Sequence, residues 1–170
     1  MNLLYPEIVS EVLQSMENIY KESGWLPEWF SPGHRDCMIG SHSASIIADA
    51  YLKGIKGFDI NLLYEAILKN TQGVGPVSSV GRLGATEYNT LGYIPYDVGI
   101  NQNVSRTLEY AYDDFCIYQL SKMLKKPKRE LEKYYKRSLS YRNLFDKETE
   151  LMRPRNKSGE FLQNFNPFRW

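Results

Sequence analysis

Apolar residues recur along this chain at helical spacing. Ile8, Val12, Met16 and Ile19 fall three or four apart, and Val9, Leu13 and Tyr20 broaden the stripe. Glu7, Glu11, Glu17 and Lys21 fill the opposite face. This predicts a first helix over about residues 6–22, opened by Pro6, whose missing N–H is harmless in a first turn, and stopped by Gly24. A second helix is predicted from a Ser41 cap to about Lys53. Ile46, Ile47, Ala50 and Tyr51 form its apolar side, and the small Ser43, Ala44, Ser45 and Ala48 permit close helix approach. Asp59 predicts a capped third helix over about 60–70, with Leu62, Leu63, Ala66 and Ile67 inward. The strongest period covers about 104–124, through Leu108, Ala111, Tyr112, Phe115, Cys116, Leu120 and Met123. Pro127 opens a fifth helix running to about Leu144.

Two long segments break the pattern. Residues 24–41 hold Pro27, Pro32, Gly33 and Gly40 among Trp25, Trp29 and Phe30. Residues 72–102 are rich in glycine, and a structureless connection of that length is often functional. The end of the chain reads as a tail with turns at Asn156–Gly159 and Asn166–Pro167, closing on an apolar Phe165, Phe168 and Trp170. No alternation of period two is strong enough to build a sheet. The expected class is all-α, with helical hairpins and long Gly-rich loops, as in a layered helical toroid.

Composition narrows the function. The chain has 170 residues, with 21 Lys and Arg against 20 Asp and Glu, a formal charge of +1. That balance gives no broad field for nucleic acid, and the Lys125, Lys126, Lys128 and Arg129 cluster reads as solvated surface. No run approaches a membrane span, and the first residues lack the basic and apolar segments of a secretory signal. Cys37 and Cys116 can pair but need not. With His34 and His42 their spacing does not suit a compact zinc site.

The densest acidic and aromatic stretch is Thr107 to Asp114. Glu109 and Asp113 are four apart and share one helix face, which suits support better than an opposed acid and base. Acidic groups early in a helix also favour its dipole. Trp25, Trp29, Tyr88, Tyr93 and Tyr96 offer flat surfaces for sugar rings or for core packing. Arg82, in Gly81-Arg-Leu-Gly84, offers a rigid fork of donors, either to a ligand or to a helix end.

Several stretches together resemble the glycoside hydrolase family 92 alpha-mannosidases: Ile47–Ile55 with Phe58-Asp59, Gly81-Arg82, Leu91–Pro95, Thr107–Asp114, Tyr141–Asp146 and Met152–Arg155. They occur in the family's order across nearly the whole chain. The resemblance implies that these helices are a partial alpha/alpha toroid, within a catalytic helical domain preceded by a beta-sandwich domain. It implies calcium-dependent, exo-acting hydrolysis of alpha-mannosides with inversion. It also implies a mannose-containing glycan as substrate and a periplasmic, cell-surface or secreted location.

The family's general-acid motif, of Glu-Gly-Asn-Ala-Trp-Gln type, and its base motif, of Gly-Asn-Asp/Glu-Asp-Cys-Gly type, are not in these residues. The expectation is therefore residues 1–170 as a single partial domain, with the sandwich upstream and the catalytic part downstream outside it. No catalytic residue is assigned and the metal ligands are unknown. Trp25, Met38, His42, Arg82 and Glu87 are the candidate substrate-binding residues, and Glu109, Asp113 and Asp114 the candidate cleft support. The chain alone is expected to hydrolyse no mannoside, to bind no calcium tightly, and to self-associate through exposed helix faces. The alternative is a small helical carbohydrate-binding or interaction and scaffold protein.

Overall fold

The structure is a computed structural model describing residues 3–29 and 34–168. Phe30, Pro32, Gly33 and Trp170 lie outside the described residues. The fold is predominantly helical: α1 (Pro6–Ser23), α2 (Ser43–Leu52), α3 (Ile60–Asn70), α4 (Ala85–Leu91), α5 (Asn103–Met123) and α6 (Lys128–Ser138). A 3₁₀ turn (Ser140–Asn143) and an antiparallel pair, β1 (Phe145–Asp146) with β2 (Leu151–Met152), follow. No helix among the described residues is long and apolar enough to cross a membrane.

Local chemistry sets the boundaries. Pro6 opens α1, and Gly24 ends it in the left-handed region (φ 75), its N–H donating to the Tyr20 carbonyl. Asp59 caps α3 by accepting from the N–H groups of Asn61 and Leu62, while its own N–H donates to the Glu17 carboxylate. Val9, Leu13, Met16 and Tyr20 are the buried face of α1. The stripe is turned slightly from the expected one, leaving Ile8 exposed.

α5 is the central element. It packs on α2 on one side and on α6 on the other, giving the expected hairpin-like layering of part of an alpha/alpha toroid. Alanines Ala44, Ala48 and Ala50 are buried along α2. The main core joins Leu13, Ile47, Leu63, Ile67, Ile117 and Leu120, and a smaller cluster joins Tyr88, Ile94 and Tyr110. Both cysteines are free thiols; burial pushes Cys116 up to about 11.

Three local expectations need correction. The Gly-rich segment after α3 contains α4, a seven-residue helix bounded by left-handed Gly84 (φ 80) and Gly92 (φ 79). The fifth predicted helix is shorter than its pattern, because α6 gives way to the 3₁₀ turn before Leu144. The described part of the tail, to residue 168, also carries a strand pair that the pattern does not predict. Asp146 accepts from Glu148 N–H, the Thr149 hydroxyl and Arg153, the last two at 2.7 Å, which closes the β1–β2 hairpin. The predicted turn at Asn156–Gly159 forms. It docks on the loop after α4, where Tyr93 donates to the Asn156 carbonyl and Lys157 N–H donates to Asp97.

Candidate functional site

The chain turns into α2 at residues 41–43, and the middle of α5 runs past that turn. Asp113 faces it from α5 and is fully buried. Its Oδ2 accepts from Ser41 N–H at 2.8 Å and from Ser41 Oγ at 3.1 Å, and its Oδ1 lies 3.1 Å from His42 Nδ1. A carboxylate only accepts, so Nδ1 carries the proton of that bond. One turn earlier on α5, Glu109 Oε2 stands 3.4 Å from His42 Nε2. The shared helix face expected for Glu109 and Asp113 thus brackets one imidazole.

The Asp113 bond is the main reason that the pKa of His42 is raised. Partial burial opposes it, and Asp113, Glu109 and Glu28 add their charge. The His42 and Glu109 side chains remain 34% and 39% exposed, so a donor and an acceptor stand side by side at the surface. Gly40 seats the ring: a β-carbon there would run into the imidazole.

Ser41 does not cap α2 as expected. The cap position is His42, which makes no side-chain cap bond, because the Ser41 hydroxyl is committed to Asp113. Glu28 takes over. Its carboxyl accepts from Ser43 N–H and Oγ, each at 3.2 Å, and from the Asn70 amide. Burial, opposed by these bonds and aided by nearby Asp113, pushes Glu28 up to about 8.

Behind this edge lies a layer of buried charge. Arg82 has no exposed surface. Its Nε donates to Ser41 Oγ at 3.1 Å and its Nη1 to Asp114 Oδ1 at 2.8 Å. Asp114 Oδ2 also accepts from Arg137 Nε at 2.8 Å and from the Tyr88 hydroxyl at 3.0 Å. The Arg82 guanidinium lies over the rings of Tyr110 and Tyr88, at 5.0 and 5.7 Å from their centroids. A hydrogen-bonded series thus runs from Arg137 through Asp114, Arg82, Ser41 and Asp113 to His42.

The structure therefore brings together five of the eight candidate residues: His42 and Glu109 at the surface, and Arg82, Asp113 and Asp114 beneath. Arg82 meets the surface edge only through Ser41. Trp25 is half-buried, packed over Gly75 and Gly81 with the Lys69 ammonium 5.0 Å from its ring. Met38 is exposed, with a left-handed backbone (φ 75). Glu87 is half-buried on α4. No hydrogen bond, ion pair or ring contact among the described residues joins these three to the His42 cluster. Tyr88 and Tyr93 are core residues rather than exposed platforms.

Sequence reasoning missed Glu28, Ser41 and Arg137. The one available signal was a carboxylate, Glu28, set inside the apolar run from Trp25 to Trp29.

The carboxylates do not suit a calcium cage, which needs six to eight oxygens turned on one point. Asp113 and Asp114 are each occupied by three N–H or O–H donors. Among the described residues, no group of three or more His, Cys, Asp and Glu could hold a metal ion. The edge can instead bind a pair of hydroxyls, His42 donating to one and Glu109 accepting from the other.

Over residues 1–170 the chain matches the family described as the glycosyl hydrolase family 92 catalytic domain. A protein of Arthroderma benhamiae, described as an uncharacterized secreted glycosidase, is 42% identical over 136 residues, covering 74% of this chain and 17% of that protein. The solved family GH92 inverting mannosidase of Bacteroides thetaiotaomicron is 41% identical with a TM-score of 0.93, over 98% of this chain and 22% of its own. A family GH92 alpha-mannosidase of the same bacterium, solved with mannoimidazole, is 37% identical with a TM-score of 0.85, over 95% and 21%. The chain spans about a fifth of the length of these solved relatives.

Proposed function

The chain belongs to glycosyl hydrolase family 92, and we propose that it forms one wall of the sugar cleft of an exo-acting, inverting alpha-mannosidase. The observation that carries the reading is the surface pair of His42 and Glu109 standing on a saturated, buried Asp113. In an inverting hydrolysis one carboxylic acid protonates the leaving oxygen and one carboxylate activates water on the opposite face of the ring. This chain's residues perform neither step. His42, whose protonated form Asp113 favours, donates through Nε2 to a mannose hydroxyl, and Glu109 accepts from its neighbour. Arg82 and Ser41 hold Asp113, and through it His42, in place.

The beta-sandwich, the general acid and the base belong to other parts of the complete enzyme. Calcium dependence is likewise proposed for the complete enzyme only. The location proposed for that enzyme is outside the cytoplasm, in line with the secreted description of the A. benhamiae relative.

Two experiments test this. The chain alone, supplied with calcium, should release no mannose from an alpha-mannoside; release that disappears in Glu109→Gln would overturn the assignment of the chemistry elsewhere. Grafted into the B. thetaiotaomicron inverting mannosidase in place of the matching segment, it should support turnover. His42→Ala in that graft should lower kcat/KM by about 10- to 100-fold, the effect of one misplaced charged hydrogen bond. An inactive graft that folds, or a His42→Ala graft of full activity, rejects the cleft-wall role.

The open apolar groove between α1, α2 and α5, with Val12, Ile46, Leu52, Tyr112 and Phe115 along it, supports a second element of the proposal. In the complete enzyme it receives the rest of the helical domain, and in the chain alone it drives self-association. Phe115→Asp should shift the chain toward monomer in light scattering; a wild-type monomer would reject self-association.

A further inference from the structure

The charge of the chain is unevenly placed. Residues 122–142 hold nine Lys and Arg against two Asp and Glu, whereas the other 149 residues hold 12 against 18. The structure turns Leu131, Tyr134 and Ser138 of α6 toward α5, and leaves Lys128, Arg129, Lys133, Tyr135 and Lys136 on the open side. The two acidic groups are engaged: Glu130 accepts from the Tyr64 hydroxyl, and Glu132 pairs with Lys128. Among the described residues, no carboxylate is within ion-pair distance of Lys122, Lys125, Arg129, Lys133, Lys136 or Arg142. Arg129 and Lys133 are four apart on one helix, where like charges repel.

Aromatic rings continue this face. The Lys122 ammonium lies 5.4 Å from the Tyr118 ring centroid, and Tyr118 meets Tyr135 at 5.3 Å and 51°. Arg142 is a neighbour of both Tyr141 and Tyr135, and its pKa is raised first by the hydrogen bond to Tyr141 and least by Tyr135. Arg142 in turn lies 5.7 Å from the Tyr141 centroid and donates to its hydroxyl. Tyr135 is 52% exposed and Tyr141 37%. Cations and rings therefore share one strip, Lys122, a half-buried Tyr118, Tyr135, Arg142 and Tyr141, contributed by α5, α6 and the 3₁₀ turn.

We propose that this strip is a binding surface for an anionic glycan, separate from the His42 edge. Pyranose C–H faces lie on the tyrosine rings, and the carboxylate or sulfate substituents of the sugar meet the lysines and arginines. A neutral glycan has no use for the cations. Stacked bases would favour parallel platforms, and the Tyr118 and Tyr135 rings are inclined to each other. The inference is independent of the mannosidase reading, and neither falls with the other.

The test uses this chain in affinity electrophoresis and calorimetry against a sulfated oligosaccharide, polygalacturonate, neutral mannan, single-stranded DNA and phosphatidylglycerol vesicles. The anionic glycans should bind, and weaken by about tenfold or more between ~0.02 and ~0.2 M salt as the charges are screened. Tyr135→Ala should weaken binding by about fivefold or more, the worth of one stacked ring. Lys122→Gln should weaken it similarly, while the distant Lys56→Gln changes nothing. Circular dichroism confirms that each variant keeps its helices. Equal binding of neutral mannan, no effect of Tyr135→Ala, no binding of either anionic glycan, or tighter binding of DNA or vesicles would each overturn the proposal.

Discussion

Removing the guanidinium of Arg82 should unsettle the protein more than any surface change. Arg82 and Asp114 have no exposed side-chain surface, and their contact is 2.8 Å long. Breaking such a buried pair by deleting one partner costs about 3–5 kcal/mol, because the remaining charge stays out of water. Asp114 would keep Arg137 and Tyr88 at 2.8 and 3.0 Å, so Arg82→Met belongs at the lower end, about 3 kcal/mol. For a chain of this size that is a fall in Tm of roughly 6–12 °C. Arg82→Lys keeps the charge but cannot reach Ser41 Oγ and Asp114 together, and should lose about 1–2 kcal/mol, one charged hydrogen bond. Urea unfolding followed by circular dichroism reads each value. A cycle with Asp114→Leu should show coupling of about 2 kcal/mol or more, since the two groups share one network. Arg82→Met within about 1 kcal/mol of wild type, or strictly additive double-mutant losses, would refute the view that this pair organises the site.

Asp113→Asn should lower the pKa of His42, read by imidazole NMR, with His34 as the only other histidine. A raised histidine stabilises the fold fully below its unfolded value of 6.5, and that contribution fades as pH rises through the folded value; Asp113→Asn should flatten the slope. Glu28, at about 8 when folded against 4.5 ordinarily, holds its proton more tightly in the native state. Stability should therefore fall as pH climbs between those values, and Glu28→Gln should flatten the fall in pH-dependent melts. Asp146, held at about 2 by Thr149 and Arg153, should stabilise the β1–β2 hairpin above its ordinary 3.8 and release it as pH drops toward 2, seen as faster proteolysis there. Gly40→Ala should displace the imidazole and move its NMR titration while leaving the α3 amides unchanged.

Where helices carry a long period and their own stop signals, the chain could be read directly. α1 between Pro6 and Gly24, α3 behind Asp59, and α5 all stand close to their expected limits. α4 escaped because its two bounding glycines look like loop punctuation, and seven residues are too few to establish a period. The β1–β2 pair has two residues per strand, so no alternation exists to detect. The site was half legible for a related reason. Glu109 and Asp113 announce a shared face because they are four apart on one helix, whereas Asp113 with Ser41 and Arg82 with Asp114 are joined across 72 and 32 residues. Nothing in local spacing encodes those distances. The same Arg82 that reads as a donor for a ligand is fully buried beneath the edge, because the fold brings Asp114, Tyr88 and Tyr110 around it.

The division of labour in the proposed mannosidase follows from counting donors, not only from motifs. A general acid must offer a proton to a glycosidic oxygen, and a base must turn a lone pair toward water. Asp113 accepts from Ser41 N–H, Ser41 Oγ and His42; Asp114 accepts from Arg82, Arg137 and Tyr88; neither has any exposed surface. Freeing either for chemistry would strand a buried donor set. Glu109 has open surface, but its Oε2 is turned to His42 Nε2 at 3.4 Å, on the same helix face as Asp113 and not across a bond from it. What these carboxylates can do is fix geometry. Each charge in the series from Arg137 to His42 faces an opposite charge or a hydroxyl, so the outermost donor, His42, cannot turn without breaking its bond to Asp113, and Glu109 stands against that fixed ring. A wall that must hold a sugar ring still while acid and base act from other segments needs that rigidity, and preorganised dipoles are most useful where they do not move during the reaction.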